Sequence, residues 1–173
     1  MIVLGIDPGT ATIGYGVLKT TGPQKGSKVS CLAYGLIETT PDNPFPQRLE
    51  KIAKEFDALI KKYQPGLIAI ESVFFFKNQK TLIPVSRASG VIILGAAKRK
   101  ISIIEFTPIQ VKARVANYGR AEKEEVQRRI VEILGLKSIP RPDDVTDALG
   151  VALCGVFSLT KGASSLTRRD KKV

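Results

Sequence analysis

Acidic residues at the ends of apolar runs are the groups in this sequence that could do chemistry together. Asp7 follows the run Ile2–Ile6, and Glu71 follows the run Leu67–Ile70. Short apolar runs of this kind are typical of buried strands. If the two strands are parallel neighbours, both carboxylates emerge at the same edge of a sheet, where α/β proteins place their sites.

Two further acids, Asp144 and Asp147, stand three residues apart in the first turn of an apolar helical pattern. That spacing places both on one face of the helix, and Asp144 falls beside the apolar stripe, so it is expected to point toward the sheet edge. Purely structural roles are the alternatives. Asp7 could cap a turn, Asp143 or Asp144 could cap the helix, and Asp147 could be a solvated helix charge.

Converging carboxylates need a cation between them, because otherwise each raises the pKa of the others. The sequence contains no histidine, which excludes Ser–His and Cys–His nucleophilic mechanisms and imidazole-ligated zinc or iron sites. The expected cation is Mg²⁺, with Mn²⁺ as a substitute, because it suits a few carboxylates that leave room for water and phosphate. One or two ions are expected per site. Two ions would activate a water and stabilise the leaving oxygen in phosphodiester hydrolysis, which is a two-metal mechanism. The candidate catalytic residues and metal ligands are Asp7, Glu71, Asp144 and Asp147.

The charge balance favours nucleic acid as the partner. The chain of 173 residues has 27 Lys+Arg and 16 Asp+Glu, a formal net charge of +11, although a merely soluble basic protein is the alternative. Cys31 and Cys154 lie in apolar patterns and are expected to be small buried residues in a reducing compartment. The N-terminus shows no secretory signal and the apolar stretches are too short to span a bilayer, so a cytoplasmic protein is expected.

The elements that must position the acids follow from apolar periodicity. Alternating runs at Thr12–Lys19 and Val29–Thr39 predict an antiparallel meander with the first strand. After a loop at Pro41–Pro46, helical spacing predicts a helix over Arg48–Tyr63, and the apolar strand that ends at Glu71 follows it.

The second half of the chain is predicted to be mostly helical. A helix over Gln79–Lys100 precedes a strand over Ile101–Phe106; a short helical piece after Pro108 and two longer helices follow, from Ala121 to Leu134 and from Asp143 to about Leu159. The order βββαβαβαα predicts one mixed five-stranded sheet flanked by helices, an α/β fold in a single domain. Residues 1–160 form that domain, and residues 161–173 are expected to be a disordered basic tail.

Motifs spread along the chain resemble the RuvC Holliday-junction resolvases. They are GIDPGT…GYG (Gly5–Gly16), IESVF followed by KN (Ile70–Asn78), QVK (Gln110–Lys112), AEKEEVQ (Ala121–Gln127) and DDVTDALGVAL (Asp143–Leu153). The resemblance implies an RNase H-like fold and a homodimer that nicks two opposed strands of a four-way DNA junction in recombination and repair. A branch-migration motor complex similar to RuvA/RuvB is a further partner that the resemblance suggests.

The resemblance also implies roles for individual residues. The family's catalytic acids match the four acids named above, and Asp144 is preferred to Asp143 because only Asp144 forms a D-x-x-D pair with Asp147. The segment Arg87–Gly90 departs from the family pattern, so no DNA contact is carried over to it. The residues expected to contact DNA are Phe74, at the junction centre, Lys77, Lys112 and Lys123.

Basic residues and a small-residue helix each allow two interpretations. The basic belt comprises Lys112, Arg114, Arg120, Lys123, Arg128 and Arg129. It could contact phosphates, or it could be a solvated face whose glutamates pair with Arg128 and Arg129. The helix around Pro84–Ala97 could form a dimer interface or pack on its own sheet.

Two other functions compete with junction cleavage. An RNase H-like nuclease could act on other structured DNA or RNA. An ATP-binding protein of the actin/sugar-kinase superfamily also carries an Asp-x-Gly-Thr loop between two strands, but that superfamily needs a second lobe, which 173 residues do not provide.

Overall fold

After an initial three-stranded meander, helices and strands alternate as far as the fifth strand, and three consecutive helices follow. The computed structural model describes residues 1–22, 27–72 and 79–162. The strands are β1 (Ile2–Asp7), β2 (Thr12–Thr20), β3 (Val29–Glu38), β4 (Leu67–Glu71) and β5 (Ser102–Phe106). The helices are α1 (Phe45–Tyr63), α2 (Gln79–Lys98), α3 (Pro108–Val115), α4 (Lys123–Leu134) and α5 (Asp143–Gly162).

The five strands form one mixed sheet in the order β3-β2-β1-β4-β5. β2 runs antiparallel to both β1 and β3, whereas β1 is parallel to β4 and β4 is parallel to β5. This arrangement confirms the predicted five-stranded α/β sheet. The parallel pairing of β1 and β4 brings the ends of these two strands to the same edge.

Apolar side chains cover both faces of the sheet. On one face, Leu4 and Ile6 pack with Phe56 of α1 and Ile92 of α2. On the other face, a second cluster joins Val3 and neighbouring strand residues to α3, α4 and α5. Because the central strands are buried on both sides, they appear in the sequence as continuous apolar runs.

The boundaries of four helices differ from those that the sequence predicted, since α4 begins at Lys123 rather than Ala121, α5 ends at Gly162 rather than about Leu159, and α1 and α2 differ as well. The loop at Pro41–Pro46 was predicted too long, because α1 begins at Phe45 with Pro46 in its first turn. Proline is well suited to that turn, where its missing N–H costs no helical hydrogen bond. α2 ends at Lys98 rather than Lys100, since Lys100 adopts a left-handed φ of 56°.

Close approach of α5 to the sheet depends on glycines of β1 and β2. A Cβ atom on Gly5 would lie 2.3 Å from the carbonyl oxygen of Ala148, and one on Gly14 would lie 2.0 Å from the carbonyl oxygen of Asp144. Real Cβ atoms do not approach backbone this closely. The two glycines therefore let the backbone of α5 rest directly on the sheet, with its first turn beside the end of β1.

The small residues of α2 serve packing within the monomer on one face. Ala88, Ser89 and Ala96 are buried there, as the alternative interpretation of this helix predicted. The opposite face leaves Ile83 and Leu94 exposed. Within the part of the chain that the structure describes, no helix combines the length and the apolar character needed to cross a membrane.

The two cysteines differ in their surroundings. Cys154 is fully buried in α5, as predicted, and burial raises the pKa of its thiol to about 12. Cys31 is only partly buried on the edge strand β3, so the prediction of a buried residue is wrong for it. Among the described strands, β3 lies at the edge of the sheet with a neighbour on one side only.

Candidate active site

Asp7 and Glu71 occupy the last positions of the adjacent parallel strands β1 and β4. The strand register pairs Ile6 with Ile70, so the two acids that follow lie side by side at one edge of the sheet. Both side chains are partly buried. The structure thus brings together the two carboxylates that were expected to meet if the strands were parallel neighbours.

Asp144 joins this edge from the first turn of α5. Its Oδ2 accepts a hydrogen bond of 2.8 Å from the Thr12 hydroxyl at the start of β2. The neighbouring Asp143 points elsewhere, with 40% of its side chain exposed and its carboxylate in contact with Lys123, Gln127 and Arg141. The helix therefore separates the two consecutive acids, and only Asp144 faces the ends of the strands.

Asp147 lies one turn further along α5, where it contacts a lysine of α4. The Nζ atom of Lys123 is 3.1 Å from Asp147 Oδ2 and also 3.1 Å from Asp143 Oδ2. Burial raises the pKa of Asp147, and the hydrogen bond from Lys123 opposes that rise. Asp147 is thus a partly buried acid with a specific partner, and the alternative of a solvated helix charge does not hold.

The four acids influence one another electrostatically, and Asp7 shows it most clearly. Burial raises the pKa of Asp7 well above its usual range, and the charges of Glu71, Asp147 and Asp144 raise it further. Lys123 acts in the opposite direction. A cluster in which one carboxylate is pushed toward its protonated form by three others favours the binding of a cation.

Lys123 is a cation that contacts one of these four acids, Asp147, together with the neighbouring Asp143. Burial works to lower the pKa of its ammonium group, but hydrogen bonds to Asp147 and Asp143 outweigh burial and raise the pKa above its usual value. Lys123 therefore carries its positive charge throughout the physiological pH range. Positive charge at this position is available to a phosphate that approaches the acids.

A pocket of about 190 Å³ opens beside Glu71 and Asp147. Two of the lysines predicted to contact DNA form part of its wall, and Lys112 is held by a hydrogen bond of 2.8 Å from its Nζ to the carbonyl oxygen of Ala121. Apolar side chains complete the lining. The lining residues are Glu71, Pro108, Val111, Lys112, Lys123, Val126, Ile130, Asp147 and Gly150.

The donor atoms of this site suit a hard cation. The acids offer only carboxylate oxygens, which are the ligands that Mg²⁺ prefers. Within residues 1–22, 27–72 and 79–162, however, no group of three His, Cys, Asp or Glu side chains converges closely enough to hold a metal ion. The donor chemistry therefore fits Mg²⁺, but the carboxylates must turn before they can share one ion. In the structure Asp144 is hydrogen-bonded to Thr12 and Asp147 to Lys123.

Members of the basic belt separate into inward-facing and outward-facing residues. Arg114 lies over the ring of Phe106, 4.8 Å from its centroid, and donates hydrogen bonds to Ser158 Oγ and to the Cys154 carbonyl oxygen. Arg114 is therefore not a simple solvated charge, because α3 turns this side chain onto the protein.

The remaining arginines of the belt lie on the surface. Arg129 pairs with Glu132 at 2.7 Å, as the glutamates of this helix predicted. Arg120 and Arg128 are exposed. Phe74 and Lys77 lie outside the described residues, so their predicted contacts with DNA stay predictions from the sequence.

Two residues of the site escaped the sequence analysis. Thr12 was assigned only to a strand, and its hydroxyl carries no signal that it would meet an acid 132 positions away. Gln127 is buried on the apolar face of α4 beside Val126 and Ile130, and its Nε2 donates to Asp143 Oδ1 at 3.2 Å. A lone amide among apolar positions was the signal that could have identified it.

The mixed sheet, with acids at the ends of β1 and β4 and on the helix that crosses them, defines an RNase H-like nuclease fold. A family model described as crossover junction endodeoxyribonuclease RuvC matches residues 3–155. The chain belongs to the RuvC family. The family and the fold implied by the sequence motifs are thereby confirmed.

Individual relatives cover nearly the whole chain. A crossover junction endodeoxyribonuclease RuvC of Syntrophomonas wolfei is 43% identical over 175 residues, which cover 99% of each protein. Its counterpart in Alkaliphilus metalliredigens is 48% identical over 158 residues, covering 91% of this chain and 94% of that protein. The structure of Thermus thermophilus RuvC in complex with Holliday junction substrate is 32% identical, with a TM-score of 0.87 over 94% of this chain and 96% of the other.

Proposed function

We propose that this protein is a Mg²⁺-dependent endonuclease that resolves four-way DNA junctions by paired symmetric nicks in recombination and repair. The observation that carries the proposal is the placement of Asp7, Glu71, Asp144 and Asp147 at one edge of the sheet, where three of them raise the pKa of the fourth. Membership of the RuvC family supports the choice of substrate, since a solved relative of this fold binds a Holliday junction.

The four acids have the role of metal ligands and catalytic residues in this proposal. Nucleases of this family depend on divalent metal ions. When bound, one or two Mg²⁺ ions, or Mn²⁺ in their place, supply the Lewis-acid chemistry of phosphodiester hydrolysis. Asp7 and Glu71 stand at the ends of adjacent strands and Asp144 is bonded to Thr12, so rotation of their side chains would bring the oxygens onto a shared ion. Choosing Asp144 over Asp143 is supported by the direction in which each side chain points.

Basic residues around the pocket supply contacts to the DNA backbone. Lys112 and Lys123 line the pocket beside Glu71 and Asp147, where positive charge stabilises a phosphate as it gains charge during cleavage. The net charge of +11 extends this attraction over the surface. Phe74 and Lys77 complete the proposed interface, Phe74 by stacking on a base at the junction centre.

Two active sites are needed to nick two opposed strands, and a homodimer provides them. An isologous dimer matches the two-fold symmetry that a four-way junction can adopt. The exposed face of α2, with Ile83 and Leu94, is an apolar surface suited to this contact. A RuvA/RuvB-like branch-migration complex in the cytoplasm is the further partner that we propose.

Cleavage of synthetic substrates tests the function. The full-length protein is incubated with a labelled four-way junction, a linear duplex of the same sequence and an RNA hairpin, each with Mg²⁺ or with EDTA. We expect two symmetric nicks in the junction, dependent on Mg²⁺, and little cutting of the other two.

Other outcomes identify the competing functions. Cutting of the duplex or the hairpin without the junction contradicts the proposed substrate and favours a nuclease for other structured nucleic acids. A rise in melting temperature with ATP, without junction binding, favours the ATP-binding alternative.

A further inference from the structure

An acid outside the proposed catalytic set shares a lysine with an acid inside it. Lys123 Nζ lies 3.1 Å from Asp143 Oδ2 and 3.1 Å from Asp147 Oδ2. We infer that Asp143 is a positioning residue. It holds the ammonium group of Lys123 beside the pocket and weakens the attraction between Lys123 and Asp147. This inference rests on the proposed function, because it takes Asp147 to be a metal ligand.

Asp143 is itself held in place by two further donors. Its Oδ1 accepts a hydrogen bond of 3.2 Å from Gln127 Nε2 and another from Arg141 Nη1. Gln127 is almost fully buried, so the donor on α4 has a defined position. With Oδ1 occupied by these two groups, Oδ2 is the oxygen directed at Lys123.

The division of the ammonium group between two acids follows from its chemistry. A lysine has three donors and can serve two carboxylates at once. If Asp143 were absent, Asp147 would be the one carboxylate in contact with Lys123 among the described residues, and their attraction would compete directly with a metal ion for Asp147 Oδ2. With Asp143 present, Lys123 keeps a partner when Asp147 Oδ2 turns toward a cation.

The same arrangement serves the substrate. Lys123 lines the pocket with Lys112, and it stays there only while a carboxylate restrains its flexible side chain. Asp143 provides that restraint from outside the set of metal ligands. The positive charge of Lys123 thus remains beside the pocket, where a phosphate can bind, when Asp147 coordinates a metal ion.

Mn²⁺ binding to the full-length protein without DNA tests the inference, with free Mn²⁺ followed by electron paramagnetic resonance. The Asp143→Asn variant should raise the Mn²⁺ dissociation constant about threefold to tenfold, a coupling typical of groups in direct contact. Lys123→Met should lower the dissociation constant. The control is Asp57→Asn, which removes a surface acid paired with Lys61 at 3.3 Å far along α1 and should leave Mn²⁺ binding unchanged.

A double variant separates positioning from a simple loss of charge. If Asp143 acts through Lys123, adding Asp143→Asn to Lys123→Met should change the dissociation constant no further. An equal weakening with and without Lys123 would mean that Asp143 attracts the metal through space only, and the inference would be wrong. Gln127→Met, which leaves the charge of Asp143 intact, should weaken Mn²⁺ binding in the same direction by a smaller factor.

The outcomes for the inference and for the proposed function are distinct. If the wild-type protein binds no Mn²⁺, the proposed metal site is wrong and the inference with it. If Mn²⁺ binds but Asp143→Asn has no effect, the metal site stands and the positioning role is wrong. If Asp143→Glu keeps the wild-type affinity for Mn²⁺ while Asp143→Asn loses it, the carboxylate itself is needed for the positioning role.

Discussion

Thr12 and Asp144 are joined by a hydrogen bond of 2.8 Å although 132 positions separate them in the sequence. The bond links the start of β2 to the first turn of α5 through one carboxylate oxygen of Asp144. It forms beside Gly14, where the strand and the helix backbone touch. The orientation of one proposed metal ligand therefore depends on a residue outside the acidic set.

Removal of the Thr12 hydroxyl should slow cleavage more than it affects folding. Thr12→Val keeps the shape of the side chain but removes the donor, so Asp144 becomes free to rotate. We expect the single-turnover rate of junction cleavage to fall about tenfold, which corresponds to about 1.4 kcal/mol of lost transition-state stabilisation. Junction affinity, measured by a mobility-shift assay in Ca²⁺, should stay within about twofold of the wild-type value.

Thr12→Ser is the matched control for this prediction because it retains the hydroxyl. Its cleavage rate should stay close to that of the wild-type protein. Equal losses in the two variants would show that the methyl group, and thus packing, matters rather than the hydrogen bond to Asp144.

Replacement of Asp7 should abolish cleavage and at the same time stabilise the protein in EDTA. Because burial and the neighbouring acids raise the pKa of Asp7, the folded state binds the Asp7 proton more tightly than the unfolded state does. The contribution of Asp7 to stability therefore falls as the pH rises from about 4, the ordinary carboxyl pKa, through its raised pKa. Asp7→Asn lacks this penalty.

Thermal unfolding from pH 4 to pH 8 measures the effect. In EDTA at pH 8, Asp7→Asn should melt about 2–4 °C above the wild-type protein, equivalent to about 1 kcal/mol for a domain of this size. The difference should shrink toward pH 4, and saturating Mg²⁺ should stabilise the wild-type protein more than the variant. A variant that melts well below the wild-type protein at pH 8 would instead assign Asp7 a structural role.

A methyl group at Gly14 should disturb both stability and the site. Its Cβ would lie 2.0 Å from the Asp144 carbonyl oxygen, so α5 must move away from β2. Gly14→Ala should cost about 1–3 kcal/mol in urea unfolding, as expected for overpacking, and should slow cleavage through the displaced Asp144.

Gly90→Ala is the matched control, because apart from its chain neighbours and the adjacent backbone of α2 no described atom lies within 4 Å of the position that its Cβ would take. It should stabilise the protein by about 0.4–1 kcal/mol, since alanine restricts the unfolded chain. Equal losses of stability at Gly14 and Gly90 would contradict the role of close helix–sheet contact.

Arg114 and Arg120 should respond differently to substitution although both are basic residues of the same region. Arg114→Met removes contacts to Phe106 and Ser158 and should cost about 1–2 kcal/mol of stability, with no change in how junction affinity depends on salt. Arg120→Met should leave stability within about 0.5 kcal/mol and lower the slope of log affinity against log salt by about 1. Junction titrations at several salt concentrations decide between them, and a reversed pattern would restore Arg114 to the DNA-facing belt.

Helices and strands were predictable here because burial on both faces of the sheet leaves a direct trace in the sequence. The short apolar runs before Asp7 and Glu71 indicated buried strands, and a charged residue at the end of such a run marks its emergence at the sheet edge. Boundaries were less predictable. At Pro46, loop and first helical turn are both compatible with proline, and only the backbone conformation decides between them.

The direction of side chains on the outer helices was not predictable in the same way. For Arg114, on α3, the sequence left open a phosphate contact or a solvated position, and the structure shows it lying on Phe106. Which face of a short helix meets the protein depends on the angle at which it crosses its neighbours, and local charge patterns do not contain that angle. The contact between Gln127 and Asp143 likewise depends on how α4 packs against α5, although the amide itself stood out among apolar positions in the sequence.

The sequence by itself determined the chemistry of this protein: an absence of histidine, acids at the ends of apolar strands, a strongly basic surface and the motifs of the RuvC family. Tertiary structure alone decided which acids face one another, because that depends on the parallel pairing of β1 with β4 and on the packing of α5 against Gly5 and Gly14. It also decided that Lys123 is shared by Asp143 and Asp147. Hydrogen bonds and ion pairs act over about 3–4 Å, so they follow from the packing of elements that are distant in sequence.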